Sequence, residues 1–306
     1  MAIWNTAKEK SPIIRRSGGL ERRTRLKGWV FILPAVILIA AMAFYPMIEA
    51  FLLSLQSGKG NALHWTGFSN YLRLPKDRTF LAALNNTFLY LIVQVPIMLF
   101  LALILATMLN DKTLKFKGIY RTLIFLPCAT SLVSASIVFR QLFDYNGLLN
   151  TILMHFSIIS EPIPFMTDPN YARMVIIVTM LWRWTGYNMI FYLAGLQNID
   201  KQVYEAAGID GASVVQQFFH ITIPLLRPFI LLTTILSTSG TLQLFDEVRI
   251  MTNGGPANAT VSLSYHIYDL SFLKVPQFGY AATVAYVVFI LVAILSLIQL
   301  KVGDKS

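Results

Sequence analysis

Apolar residues in this chain run in long blocks, and polar residues gather between them. Six blocks, near 29–55, 84–109, 119–142, 172–196, 225–246 and 277–300, reach the roughly 20 residues with which a helix crosses a bilayer. The pattern predicts an all-α integral membrane protein with six transmembrane helices. The first block contains Ala41-Met42-Ala43, the small-x-small form of a signal-peptide cleavage site. Its apolar run continues through Phe44 to Leu55 behind a basic head, which predicts a retained anchor instead.

Composition agrees with the pattern. The 306 residues are 56% hydrophobic and 13% charged, against roughly 25% charged in a soluble domain. Three parts are expected: a basic cytoplasmic segment 1–28, a transmembrane domain 29–300 and a cytoplasmic tail 301–306. Charge then sets orientation. With the N-terminus inside, the inner segments 1–28, 110–121, 197–227 and 301–306 hold sixteen Lys and Arg, and the outer loops 56–80, 143–170 and 247–276 hold six. Both termini are therefore expected in the cytoplasm, with the chain passing repeatedly through the membrane. The net charge of +10 reflects this asymmetry. The head reads as attraction to anionic lipid headgroups of the bilayer, not as nucleic-acid binding.

Several chemistries find no support in the residues. Cys128 is the single cysteine, and no histidine among His64, His155, His220 and His266 has a His or Cys at ligand spacing. No metal site, catalytic residue or cofactor is expected in this chain. Gly58-Lys59-Gly60 lacks the Ser or Thr that follows the lysine of a phosphate loop. Carboxylates sit at the ends of the blocks, which disfavours an ion-coupled secondary transporter.

The segment 198–224 is different in kind. Asp200 is placed to cap a short helix through Tyr204, Glu205, Ala206 and Ala207, and Gly208 and Gly211 mark a bend or a close backbone approach. Val214, Val215, Phe218 and Phe219 then recur on one helical face before Pro224. This predicts a pair of short helices lying across the inner membrane surface. An interfacial helix would serve the same pattern, but the stretch is poor in Lys and Arg and its first turn is made of small residues, which suits docking with another protein.

"EAAGIDGASVVQQFFHITIP", 205–224, resembles the cytoplasmic signature of ABC-importer permeases, with Glu205, Ala206, Ala207, Gly211, Ile223 and Pro224 in the diagnostic places. The ending ITIP departs slightly from the commoner I-x-L-P. "FDEVRIMTNGGPANAT", 245–260, with "DGAS" at 210–213, "TDPNYAR" at 167–173 and "LAGLQNID" at 193–200, is similar to carbohydrate-uptake permeases of the maltose-transporter type, and the resemblance extends from about 28 to 300. It implies the type I importer permease fold and a transport subunit that hydrolyses nothing itself. The implied partners are a second homologous permease in a heterodimer, two ATP-binding subunits that hold ATP and Mg, and an extracytoplasmic solute-binding protein that delivers the carbohydrate. It further implies that Glu205, Ala206, Ala207, Gly208, Asp210, Gly211 and Ala212 form the coupling joint to an ATPase subunit. Glu205 would bond the groove rim, the alanines would let backbones approach, and Gly211 would set the bend.

The resemblance also implies a sugar path between helices 3, 4 and 5. Within "LWRWTGYNMIFY", 181–192, Trp184, Thr185 and Asn188 fall on one helical face. Thr241, Gln243 and Leu244 on helix 5, beside Gly240, and Cys128 and Leu132 on helix 3 lie at comparable depth. Trp184 could instead be packing, and Thr185 and Asn188 interhelical glue. Arg183, the one basic residue deep in a span, is either a functional charge or half of a structural pair. Arg140 and Asp144 are expected to pair at an outer helix end. Within the importer class, a glycerol-phosphate-like cargo is the alternative, disfavoured because a phosphate should require more than one buried cation.

Overall fold

Long runs of Leu, Ile, Val, Phe and Ala satisfy their backbone groups in an apolar solvent only within a helix or a closed barrel. Helix is what they form in the computed structural model, which describes residues 18–304 apart from 61 and 112. Residues 1–17 of the expected basic head and 305–306 of the tail lie outside the described residues. The chain divides into two units at residues 52 and 53. The first is a helical run, α1 (Gly18–Ile39), a π-helical turn Ala40–Phe44, and α2 (Tyr45–Ser54), whose last residues enter the second unit.

In the second unit a hairpin, β1 (Gln56–Lys59) and β2 (Ala62–Trp65), pairs antiparallel with Gln56 opposite Trp65. The short α3 (Ser69–Arg73) precedes α4 (Arg78–Asn110), α5 (Lys117–Ala129), α6 (Leu132–Leu142), α7 (Leu148–His155) and α8 (Pro169–Gln197). Next come α9 (Lys201–Ile209), α10 (Val214–Gln217), α11 (Ile223–Leu225) and α12 (Arg227–Leu242), and then α13 (Leu263–Tyr268) and α14 (Phe278–Asp304).

Among the described residues, Gly28–Ser54, Arg78–Asn110 and Phe278–Gly303 are each long and apolar enough to cross a membrane. Two further crossings are possible only if bent pairs count as one span each: α5 with α6, bent by 95°, and Val214–Leu225 with α12, bent by 70°. The third block is thus not the single helix expected over 119–142. Thr130 is extended and turns its hydroxyl back to the Pro127 carbonyl at 2.7 Å, competing with helix continuation. The fifth helix is regular only to Leu242, short of the expected 246, and opens with Pro228 in its first turn. α8 has 29 residues, but Arg173, Arg183, Thr185 and Asn188 dilute its apolar character.

α4 and α8 form the central pair. Asp77 caps α4 by accepting the amides of Thr79 at 2.9 Å and Phe80 at 3.2 Å. The buried residues Ala83, Asn86, Thr87, Tyr90, Gln94, Met98, Ala102 and Ala106 recur every three or four positions, one continuous stripe. Asp168 caps α8 in the same way, with Pro169 at its first position. Gly186 lets α8 meet α5, since a Cβ there would lie 1.9 Å from the Ile124 carbonyl oxygen. Two apolar layers result. One gathers Tyr90, Ile176, Met180, Val248, Leu263 and Tyr280; the other gathers Ala102, Ala106, Met189, Tyr192, Leu193 and Leu226. Gln94 and Met98 on α4, and Trp184 and Asn188 on α8, fall between the layers in sequence.

The 252–261 loop is pinned over the first layer. Asn86 donates to the carbonyls of Asn258 and Val261, both at 3.0 Å, and Arg173 donates through Nε to Ala259 O at 2.8 Å. Asn253 and Gly254 take positive φ, and Gly255–Pro256 is cis. Nearby, Asp77 also accepts the Tyr280 hydroxyl at 2.9 Å, and Nε2 of buried His266 lies 3.9 Å from the same carboxylate.

Candidate functional site

α4, α6, α8, α12 and the segment after it line a half-open cavity of about 340 Å³, a volume typical of a small-molecule site. Of the sequence-predicted residues, Trp184, Asn188, Thr241, Gln243, Leu244 and Leu132 line it. Thr185 and Cys128 do not. Thr185 turns back to donate to the Leu181 carbonyl at 2.6 Å, as hydroxyls on apolar helices do when no outside partner is near.

The lining also includes residues the sequence reading passed over: Gln94, Met98, Tyr187, Ser237 and Glu247. Their hydrogen bonds join three helices. The Thr241 hydroxyl donates to Gln94 Oε1 at 3.2 Å, and the Ser237 hydroxyl to Asn188 Oδ1 at 3.3 Å. Asn188 Nδ2 donates to the Trp184 carbonyl at 3.0 Å. Trp184 and Tyr187 meet edge to face with ring centroids 5.9 Å apart. The wall is therefore a flat aromatic surface beside amides and hydroxyls, a combination that can stack on a ring and bond its hydroxyls. A lone Gln inside the apolar run "LIVQVPIML" was the available signal for Gln94.

Arg183 stands behind this wall. It is 7% exposed, its Nε and one terminal nitrogen have no hydrogen-bond partner, and its guanidinium lies 5.4 Å from the Trp184 ring centroid. Glu247, 4% exposed, lines the same wall beside Trp184. Asp246, on the cavity wall, is exposed. Arg140 and Asp144 do not form the expected pair: Arg140 donates to the Ile250 carbonyl at 3.3 Å, and Asp144 accepts the Asn146 amide at 3.2 Å.

The 198–224 segment, expected to be the coupling joint, opens with two short helices bonded to each other across a bend. Asp200 accepts the Gln202 amide at 3.0 Å, opening α9, which carries Glu205, Ala206, Ala207 and Gly208. Gly211 takes φ +80°, a conformation glycine adopts without the Cβ penalty. It turns the chain into α10, where Ser213 and Gln216 form a reciprocal capping box. Across the bend, Ala212 N bonds Ala207 O at 2.9 Å, Gln217 donates to Ala212 O at 3.1 Å, and the Tyr204 and Thr222 hydroxyls meet at 3.0 Å. Phe218 packs against the second apolar layer. Ile209, Val214, Val215 and Phe219 stay exposed.

Comparison with known proteins places this architecture. Residues 76–302 match the family described as binding-protein-dependent transport system inner membrane component. The lactose transport system permease protein LacF of Rhizobium radiobacter is 51% identical over 282 residues, covering 92% of this chain and 95% of that protein. The arabinooligosaccharides transport system permease protein AraP of Bacillus subtilis is 34% identical over 284 residues, covering 90% and 88%. Among solved structures, a bacterial ABC transporter involved in the import of the acidic polysaccharide alginate superposes with a TM-score of 0.81 at 21% identity, over 94% of this chain and 98% of that one.

Proposed function

Because this chain belongs to the family of binding-protein-dependent transport system inner membrane components, and so is a transport subunit, we propose that it moves a neutral disaccharide through the cavity between α4, α8 and α12. The observation that carries this reading is the cavity wall itself, where Trp184 stands beside the side chains of Asn188, Gln94 and Thr241. The relative named for lactose supports a disaccharide cargo. A phosphate-bearing cargo fits poorly, because none of the described lining residues is Lys or Arg, while Asp246 and Glu247 are both on the wall.

In this reading the chain crosses the bacterial inner membrane six times, with α8, the bent pair α5–α6 and α12 each serving as one crossing and both termini in the cytoplasm. A second, homologous permease completes the path. Two ATP-binding subunits carry ATP and Mg, one docking on the joint at Glu205, Ala206, Ala207, Gly208, Asp210, Gly211 and Ala212. An extracytoplasmic binding protein delivers the sugar; the solved alginate transporter in complex with a pentasaccharide-bound periplasmic protein supports such delivery. ATP-driven closure of the ATPases pushes the joint, and the joint must be stiff for the push to reach the helices.

Reconstitution tests the reading. In proteoliposomes the chain alone is expected neither to hydrolyse ATP nor to accumulate radiolabelled lactose. Adding the second permease, the ATPase subunits and the loaded binding protein restores ATP-dependent accumulation. Accumulation by the lone chain under an ion gradient would instead make it a secondary transporter.

A further inference from the structure

The cavity's polar groups are satisfied unequally. Gln94 and Asn188 are 1% and 2% exposed, so their amides depend on partners inside the protein. Both amide oxygens have hydroxyl donors, Thr241 and Ser237. The amide nitrogens converge on a sulfur: Gln94 Nε2 reaches Met98 Sδ at 3.1 Å and Asn188 Nδ2 reaches the same atom at 3.6 Å. A thioether is a weak acceptor. Asn188 Nδ2 also donates to the Trp184 carbonyl at 3.0 Å, so Gln94 Nε2 is the buried donor left to the poor partner, on the wall of a cavity with room for a ligand.

We propose that Met98 is a placeholder acceptor and that Gln94 is a cargo-contacting residue. Without cargo, the sulfur holds the Gln94 amide and shares that of Asn188 with the Trp184 carbonyl. An arriving sugar hydroxyl, a better acceptor, takes the donors from it, and the unbranched thioether swings aside. The exchange trades weak bonds for strong ones, so the sugar gains affinity without first breaking a good hydrogen bond. It also brings α4 into contact with the cargo, beside α8 and α12. This inference rests on the cargo cavity proposed above.

The test is equilibrium binding of radiolabelled lactose to the assembled importer in nanodiscs, without the binding protein. Met98→Leu keeps the volume and removes the acceptor. The empty site then loses bonds that the loaded site does not use, so binding should tighten by about three- to tenfold, as expected for roughly one hydrogen bond. Gln94→Leu should weaken binding by about tenfold on the same scale. In the double variant the gain from Met98→Leu should shrink, because one of the two donors it releases is gone. If Gln94→Leu does not assemble, Gln94→Met, unbranched and without a donor, must weaken binding instead. Unchanged or weaker binding in Met98→Leu overturns the placeholder, and unchanged binding in the Gln94 variants overturns its contact with cargo. Asn188→Ala separates the two readings: if it weakens binding while Met98→Leu changes nothing, the cavity stands and the placeholder falls. If Asn188→Ala also changes nothing, the cavity is not the cargo site.

Discussion

The cavity and the 198–224 joint handle polarity in opposite ways. In the cavity, Gln94 and Asn188 are buried at 1% and 2% exposure and find partners within the chain. On the joint, Ile209 and Val214 stand 88% and 80% exposed, although their backbone is tightly bonded. The cavity is completed by the fold, whereas the joint has finished backbone geometry and an unfinished surface. In the proposed reading, these exposed apolar side chains are the surface that the ATPase subunit covers. A substitution in the cavity should therefore act on cargo, and one in the joint on coupling.

The largest expected effect is at the joint. Gly211 has φ +80° with open space around its missing Cβ, so the obstacle to a side chain there is conformational and not steric. Gly211→Val should leave the chain in the membrane yet abolish lactose uptake, since the left-handed region costs a β-branched residue on the order of 1–2 kcal/mol and the bend relaxes away instead of bearing that cost. Gly211→Asn, which tolerates that region, should retain most uptake. Equal loss in both variants, or normal uptake in the valine variant at normal expression, would break the assignment of the bend to coupling. Next comes the cavity. Each unmade bond to a buried hydroxyl costs about 1–3 kcal/mol, so Asn188→Ala should weaken transport by roughly ten- to a hundredfold per assembled complex. ATPase stimulation by the loaded binding protein should fall less, because the joint is untouched. A packing role would reduce the amount of assembled complex and leave transport per complex normal. A smaller effect should follow Val214→Ser with Val215→Ser: about a three- to tenfold drop in ATPase subunit recovered with the chain, estimated from lost apolar burial, with unchanged lactose binding.

The contrast also explains what could be read from sequence. Helix and membrane character were legible because they depend on composition over twenty residues. The bend in 198–224 was legible because Asp200 and Gly211 act locally, one as the α9 cap and the other at positive φ; Gly208, expected to share in the bend, stays inside α9. The breaks at Thr130–Ser131 and after Leu242 were not, since each depends on a local competition for backbone bonds inside an otherwise apolar run. The cavity was half legible. Helical periodicity placed Trp184 and Asn188 on one face, but Gln94 enters only because α4 packs on α8, and Thr185 leaves because its hydroxyl prefers its own helix. Tertiary packing decides both, and spacing along one helix cannot report it.

The smallest effect tests the loop region over the first apolar layer, which belongs to neither cavity nor joint. His266 is 2% exposed on α13, with both ring nitrogens lacking a hydrogen bond and Asp77 at 3.9 Å. Burial pushes its pKa below the usual histidine value; the attraction of Asp77 and Asp269 works the other way and loses, while Lys274 and Arg73 add to the lowering. The native state therefore keeps His266 neutral where the unfolded chain, titrating near about 6.5, takes up a proton. Stability from this residue is present above that pH and is lost as the pH falls below it. Asp77 is lowered too: burial alone would raise it, but the bonds from Tyr280, Phe80 and Thr79 hold it below the usual carboxylate range, so its contribution changes only at much lower pH. Between about pH 7 and pH 5 the histidine should thus dominate this region, with a slope of at most about 1.4 kcal/mol per pH unit for one proton. Thermal unfolding of the purified chain should shift downward over that window, and His266→Phe, which fills the same site without a titrating group, should flatten the shift. Lactose binding to the assembled importer should follow neither change if the loop is only a lid on the first layer. A pH slope that survives in His266→Phe would assign the titration to another group.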